Sequence, residues 1–123
     1  MIETYILSGK PEIIHHRVEG VLGVETARLG AEHAIIKIRD HLKSNDGFLL
    51  ALDMRGYILE NIDSHRVWSI HFKEHKLVSE NVIRVAIIGD ETSQLRAEQE
   101  LLESERLKFF TELNAAKSWL KNA

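Results

Sequence analysis

Cysteine is absent from these 123 residues, and proline occurs once, at Pro11. Without cysteine there is no disulfide, no thiol nucleophile and no thiolate metal site, and the chain suits a reducing compartment. Glycine-rich phosphate loops are missing too, since neither G-x-G-x-x-G nor a P-loop occurs. Neither sign of charge is in large excess. Sixteen lysines and arginines against nineteen acids leave a net charge of −3, so nothing electrostatic draws the chain to nucleic acid or to an anionic membrane. No segment approaches the roughly 20 apolar residues of a membrane span. The opening Met1-Ile2-Glu3-Thr4-Tyr5-Ile6-Leu7-Ser8-Gly9 has an early acid and no long apolar stretch, and does not read as a signal peptide. A cytoplasmic protein is expected. What is present is ordinary for a soluble domain: 44% hydrophobic and 28% charged residues, in a length that suits one domain, 1–123.

The most informative stretch is Gly47-Phe48-Leu49-Leu50-Ala51-Leu52-Asp53-Met54-Arg55-Gly56. Its apolar run has no polar break before Asp53, which suits a strand buried on both faces of a parallel sheet. Before it, Glu3–Ser8 and Ile13–Glu19 read as strands around the turn signal Gly9-Lys10-Pro11-Glu12, an antiparallel hairpin. From Val24 to Lys43 the spacing is helical, with Val24, Ala27, Ala31, Ala34, Ile35, Ile38 and Leu42 on one face. A second helix is expected from a cap at Asp63 or Ser64 to about Val78. Ile83–Ile88 is a second buried strand. A third helix follows from Thr92 or Ser93 to Ser104, then an edge strand over Arg106–Thr111 and a last helix capped by Asn114. The expected class is α/β, in the order ββαβαβαβα, with a mixed, mostly parallel sheet and an N-terminal antiparallel hairpin.

In such sheets ligands and partners meet the loops beyond the carboxyl ends of the strands. Here that loop runs from Asp53 to Ser64. Arg55, oriented by Asp53, would contact an anion or partner; the plainer reading is a salt bridge that fixes the loop. His71-Phe72-Lys73-Glu74-His75 spells H-x-x-E-H, a zinc-peptidase pattern on a helix, but the domain has little room for a cleft. His15 and His16 point to opposite sides of their strand and cannot easily share a metal. No catalytic residue, metal or cofactor is expected.

Four stretches together resemble the SpoIIAA-like branch of the STAS domain superfamily. They are Leu49-Leu50-Ala51-Leu52-Asp53-Met54-Arg55-Gly56, Val67-Trp68 with Phe72-Lys73-Glu74-His75-Lys76, Arg84-Val85-Ala86-Ile87-Ile88-Gly89-Asp90, and Phe109-Phe110 through Ala115-Ala116-Lys117-Ser118-Trp119-Leu120. The resemblance implies a small α/β fold and a non-enzymatic regulatory or protein-interaction module. In anti-sigma factor antagonists a serine at the start of the helix after the central strand is phosphorylated, in the pattern Asp-Ser-Ser-Gly. Asp63-Ser64 match it, while His65 and Arg66 replace the second hydroxyl and the glycine. Ser64 is therefore the candidate phosphorylation site. A phosphate there would face free N–H groups at a helix start and add about −1.5 to −2 charge. The expected partner- or ligand-binding surface comprises Asp53, Arg55, Tyr57, Asp63, Ser64, His65 and Trp68. The alternative is an apolar-ligand or lipid carrier, its pocket between helix 64–78 and the sheet and bordered by Trp68, Ile70 and Phe72. An exposed edge strand would support a homodimer.

Overall fold

A computed structural model describes residues 1–90 and 103–122. Its strands are β1 (Ile2–Leu7), β2 (Ile13–Val18), β3 (Phe48–Asp53), β4 (Val82–Ile88) and β5 (Leu107–Phe110). They lie side by side in chain order. β1 pairs antiparallel with β2, and every later pair is parallel. The chain is thus α/β, with a five-stranded mixed sheet opened by a hairpin. β3 is central and all six of its residues are buried, as its unbroken apolar run requires. β5 is an edge strand. Among the described residues no helix is long and apolar enough to cross a membrane.

Alternation along the strands divides the core in two. Ile14, Val18, Leu50, Leu52, Met54 and Ile87 point to one face, where α1 (Val24–His41) and α2 (Ile62–Trp68) cover them. Ile13, Leu49, Ala51, Ala86 and Ile88 point to the other, against Ala116 and Leu120 of α4 (Leu113–Lys121). The expected face of α1 is buried from Ala27 to Ile38, but Val24 at its start is exposed. Asn114 does not cap α4. The helix begins at Leu113 after Glu112, with no side-chain cap bond. The helix expected over 92–104 falls almost wholly outside the described residues.

The single helix expected from 63 or 64 to 78 is instead broken into three pieces. α2 runs into a π turn, Ser69–Lys73, in which Glu74 N–H bonds Ser69 O across five residues at 2.9 Å. His75 then leaves the helical region, with ψ at 136°, and caps α3 (Lys76–Asn81). π turns are rare single-turn departures from α-helical winding. Here Trp68 and Phe72 both stack under the helix, their rings 5.8 Å apart.

α1 approaches the hairpin closely because its inward residues are small. At Gly30 a methyl group would lie 2.7 Å from Ile2 Cβ and Cδ1. Alanine normally favours a helix by about 1 kcal/mol over glycine. Gly30→Ala is nevertheless expected to lower stability by roughly 1–3 kcal/mol through overpacking. Because Ile2 Cβ is one of the clashing atoms, Gly30→Ala should cost less in an Ile2→Gly background than in the parent, so the two single variants and the double are compared. Urea unfolding of the three variants checks this, and a more stable Gly30→Ala chain would refute the close approach.

Candidate functional site

The carboxyl end of β3 is built around Asp53, which is fully buried. A buried carboxylate needs partners, and this one has four contacts. Oδ1 accepts from Arg55 N–H at 3.2 Å and Arg55 Nε at 2.9 Å. Oδ2 accepts from Arg55 Nη2 at 2.7 Å and His15 Nε2 at 3.0 Å. Burial alone would raise the Asp53 pKa. The hydrogen bonds from Arg55 and His15 override it and hold the carboxyl well below the usual carboxylate range. Arg55 spends its backbone N–H and two guanidinium nitrogens on this contact, which also turns the chain. Tyr57 N–H then bonds Met54 O at 3.1 Å, and Gly56 takes φ 77°, a conformation that favours glycine.

His15 is the member of this cluster that sequence reasoning missed. Its partner lies 38 residues away, and the only signal was its place beside His16 on a strand. With Nε2–H committed to Asp53, its Nδ1 is buried without a partner. A carboxylate-oriented imidazole is the arrangement of a general base. Here His15 is 3% exposed and its ring stands edge-on to Tyr5 at 4.7 Å, enclosed rather than open to a cleft.

Tyr57, His65 and Trp68 lie across the sheet from this cluster, in a second one. Tyr57 Oη and His65 Nδ1 share a hydrogen bond of 2.8 Å, and burial raises the Tyr57 pKa. His65 packs between Tyr57 and Trp68. Trp68 Nε1 donates to His16 Nε2 at 2.9 Å. Because indole only donates, neutral His16 carries its proton on Nδ1 and donates it to Thr4 Oγ1 at 2.8 Å. Phe72 stacks on the same imidazole at 4.0 Å. Burial, and then the neighbouring His15, lower the His16 pKa from 6.5 to about 3. The space between this helical segment and the sheet is therefore filled by Trp68, Phe72 and His16.

The start of α2 differs from expectation. Asn61 is the cap, accepting from Asp63 N–H at 3.0 Å and Ser64 N–H at 3.2 Å, so neither Asp63 nor Ser64 caps the helix. Asp63 is exposed on the first turn. Ser64 is 1% exposed, and its Oγ has no hydrogen-bond partner. In this conformation the hydroxyl is closed to a kinase. Outside it the loop shows apolar side chains: Ile58, Leu59 and Ile62 are 50%, 51% and 60% exposed. A bridge between Gly20 and Tyr57 sets exposed Val21 beside them.

The H-x-x-E-H stretch is divided between the π turn and the cap of α3. His75 Nδ1 accepts from Leu77 N–H at 3.1 Å, so a neutral His75 carries its proton on Nε2 and offers no lone pair there for a metal. His71 and His75 border a groove of about 410 Å³ with Glu32 and Arg39. Among the described residues no group of three or more histidines and acids is placed to hold a metal. Another hollow, of about 400 Å³, lies at the opposite end of the sheet, lined by Pro11, His41 and Ile83.

No protein-family model matches the chain, and a search of curated proteins finds no match.

Two outcomes follow from these clusters. Above pH 6.5 His16 is neutral whether folded or not. As pH falls below 6.5 the unfolded chain takes up a proton that the folded chain refuses until about pH 3, so stability falls with pH across that window. Relative to His16→Gln, which keeps a donor and an acceptor, the parent should lose about 1.4 kcal/mol per pH unit between pH 6 and 4. Equal pH slopes in urea titrations would contradict a buried neutral His16. Separately, Ser64→Ala removes an unsatisfied hydroxyl and should raise stability by about 1 kcal/mol. Ser64→Asp should lower it by about 3 kcal/mol or more by burying an unpaired charge. A destabilised Ser64→Ala chain would mean that the hydroxyl is satisfied.

Proposed function

We propose that the chain is a single SpoIIAA-like, STAS-type domain that works as a non-enzymatic protein-interaction module in the cytoplasm. Its working surface is the loop after β3 and the outer side of α2. The observation that carries this reading is the run of half-exposed aliphatic side chains at Ile58, Leu59 and Ile62, on a backbone held by Gly20, Asn61 and the Asp53–Arg55 turn. Exposed apolar residues gathered at one end of a domain mark interaction sites.

The disposition of the polar groups supports the same reading. Asp53, His15 and Arg55 bond one another at the end of the strand, and His16 is saturated by Thr4 and Trp68. An enzyme of this fold would turn such groups toward a substrate. The apolar-carrier alternative needs room between α2 and the sheet, where Trp68 and Phe72 already sit with almost no exposure. A regulatory phosphate on Ser64 would require α2 to lift away from α1, so the regulated state would differ in the seating of that helix.

A photo-crosslinking residue placed at Ile58 or Leu59 of the full chain, expressed in its own host, tests the reading. Position 83 is the control, because Ile83 is similarly exposed at the other end of the sheet. A discrete protein adduct from positions 58 and 59, absent from 83, is the expected result. Mass spectrometry identifies the captured chain. A small molecule retained on purification, with no protein adduct from either loop position, would overturn the reading.

A further inference from the structure

The outer side of α2 and the π turn carries an exposed stripe in the order apolar, acidic, basic, apolar. Ile62 stands at one end with 60% exposure, and Ile70 at the other with 53%. Between them lie Asp63 and Arg66, both exposed. Ile58 and Leu59 extend the apolar end at Ile62. Asp63 and Arg66 are three residues apart on a helix, a spacing at which opposite charges often pair. They form no ion pair with each other or with any other described residue. On α1, by contrast, Arg28 pairs with both Glu25 and Glu32.

An ordered stripe of this kind is complementary to its own reverse. A second copy turned about a two-fold axis between residues 64 and 65 sets Asp63 of each copy opposite Arg66 of the other. The same rotation sets Ile62 of one copy opposite half-buried Val67 of the other, and carries Ile70 to the loop end of its partner, at Leu59. A two-fold interface uses one patch twice, so the patch must carry both signs of charge as well as apolar area. This one does. A partner surface of a single sign would instead oppose one of the two charges. An anionic membrane would meet the carboxylates of Glu60 and Asp63 beside the aliphatic residues. We propose that this face docks a second copy of this chain, α2 against α2 in antiparallel array, with two Asp63–Arg66 pairs between the copies. The inference rests on the reading that the loop after β3 and α2 form the working surface, and it names the partner.

Sedimentation velocity of the full chain from about 1 μM to about 1 mM, the span of moderate to weak association, tests it. The expected mass climbs from 14.1 kDa toward twice that value with concentration. Asp63→Arg and Arg66→Asp should each weaken association about tenfold or more, and the double exchange should restore it. Ile62→Ser should abolish it. All three positions altered are exposed, and melting curves verify that the variants fold. A constant 14.1 kDa across the range overturns the proposal. So does a double exchange that stays monomeric, or a monomer that instead sediments with phosphatidylcholine–phosphatidylglycerol vesicles. A monomer whose positions 58 and 59 still crosslink a different protein removes this inference and leaves the interaction reading standing. Loss of both the self-association and every crosslink removes the two together.

Discussion

A carboxylate out of contact with water closes the central strand. β3 is buried along its whole length, so the polar group that ends it must be satisfied by the protein itself. Asp53 is held from both sides of the turn. His15 reaches it from β2, and Arg55 returns to it from two residues onward. That contact directs the following loop. Gly56 bends the chain, Tyr57 pairs with Gly20, and Asn61 starts α2 over the sheet. The position of the exposed loop is thus set by one buried hydrogen-bonded group.

The other face of the sheet has its own polar centre. His16 lies among apolar side chains, yet both of its ring nitrogens are used, by Thr4 and by Trp68. Burial keeps it neutral, which suits a ring that must accept from an indole on one side and donate on the other. This links β1, β2 and α2 with two hydrogen bonds, while Phe72 closes the stack from the π turn. Among the described residues, two buried side-chain atoms are left without partners, His15 Nδ1 and Ser64 Oγ. The first lies with Asp53 on the opposite face of the sheet from His16, and the second lies at the start of α2.

The result is a domain whose chemically capable groups face inward and bond one another, while aliphatic residues face outward around α2. Our reading of the function follows from this inversion. A surface that offers Ile58, Leu59 and Ile62 with Asp63 and Arg66 suits a protein partner better than a small substrate. The antiparallel docking of two copies is one specific way to cover it.

Local pattern was enough to place the elements whose form depends on near neighbours. The apolar run from Phe48 to Leu52 suited a strand covered on both faces, and the spacing of Ala27, Ala31, Ala34 and Ile38 marked the inner face of α1. The hairpin, the edge position of β5 and the loop after Asp53 were legible for the same reason, since periodicity and turn residues act over a few positions. What sequence reasoning missed depends on distant partners. Asp53 finds His15 across 38 residues, and Trp68 finds His16 across 52. The π turn sits over the stacked Trp68 and Phe72 rings, and no residue type in it is diagnostic of that winding. Asn61, rather than Asp63 or Ser64, begins α2, and that choice rotates the helix so that Ser64 faces inward and Asp63 outward. Successive helical residues diverge by about 100°. The cap lies two or three positions before the expected one, and packing of Ser64 and Trp68 inward, with Asp63 outward, is set by tertiary contacts rather than by local pattern.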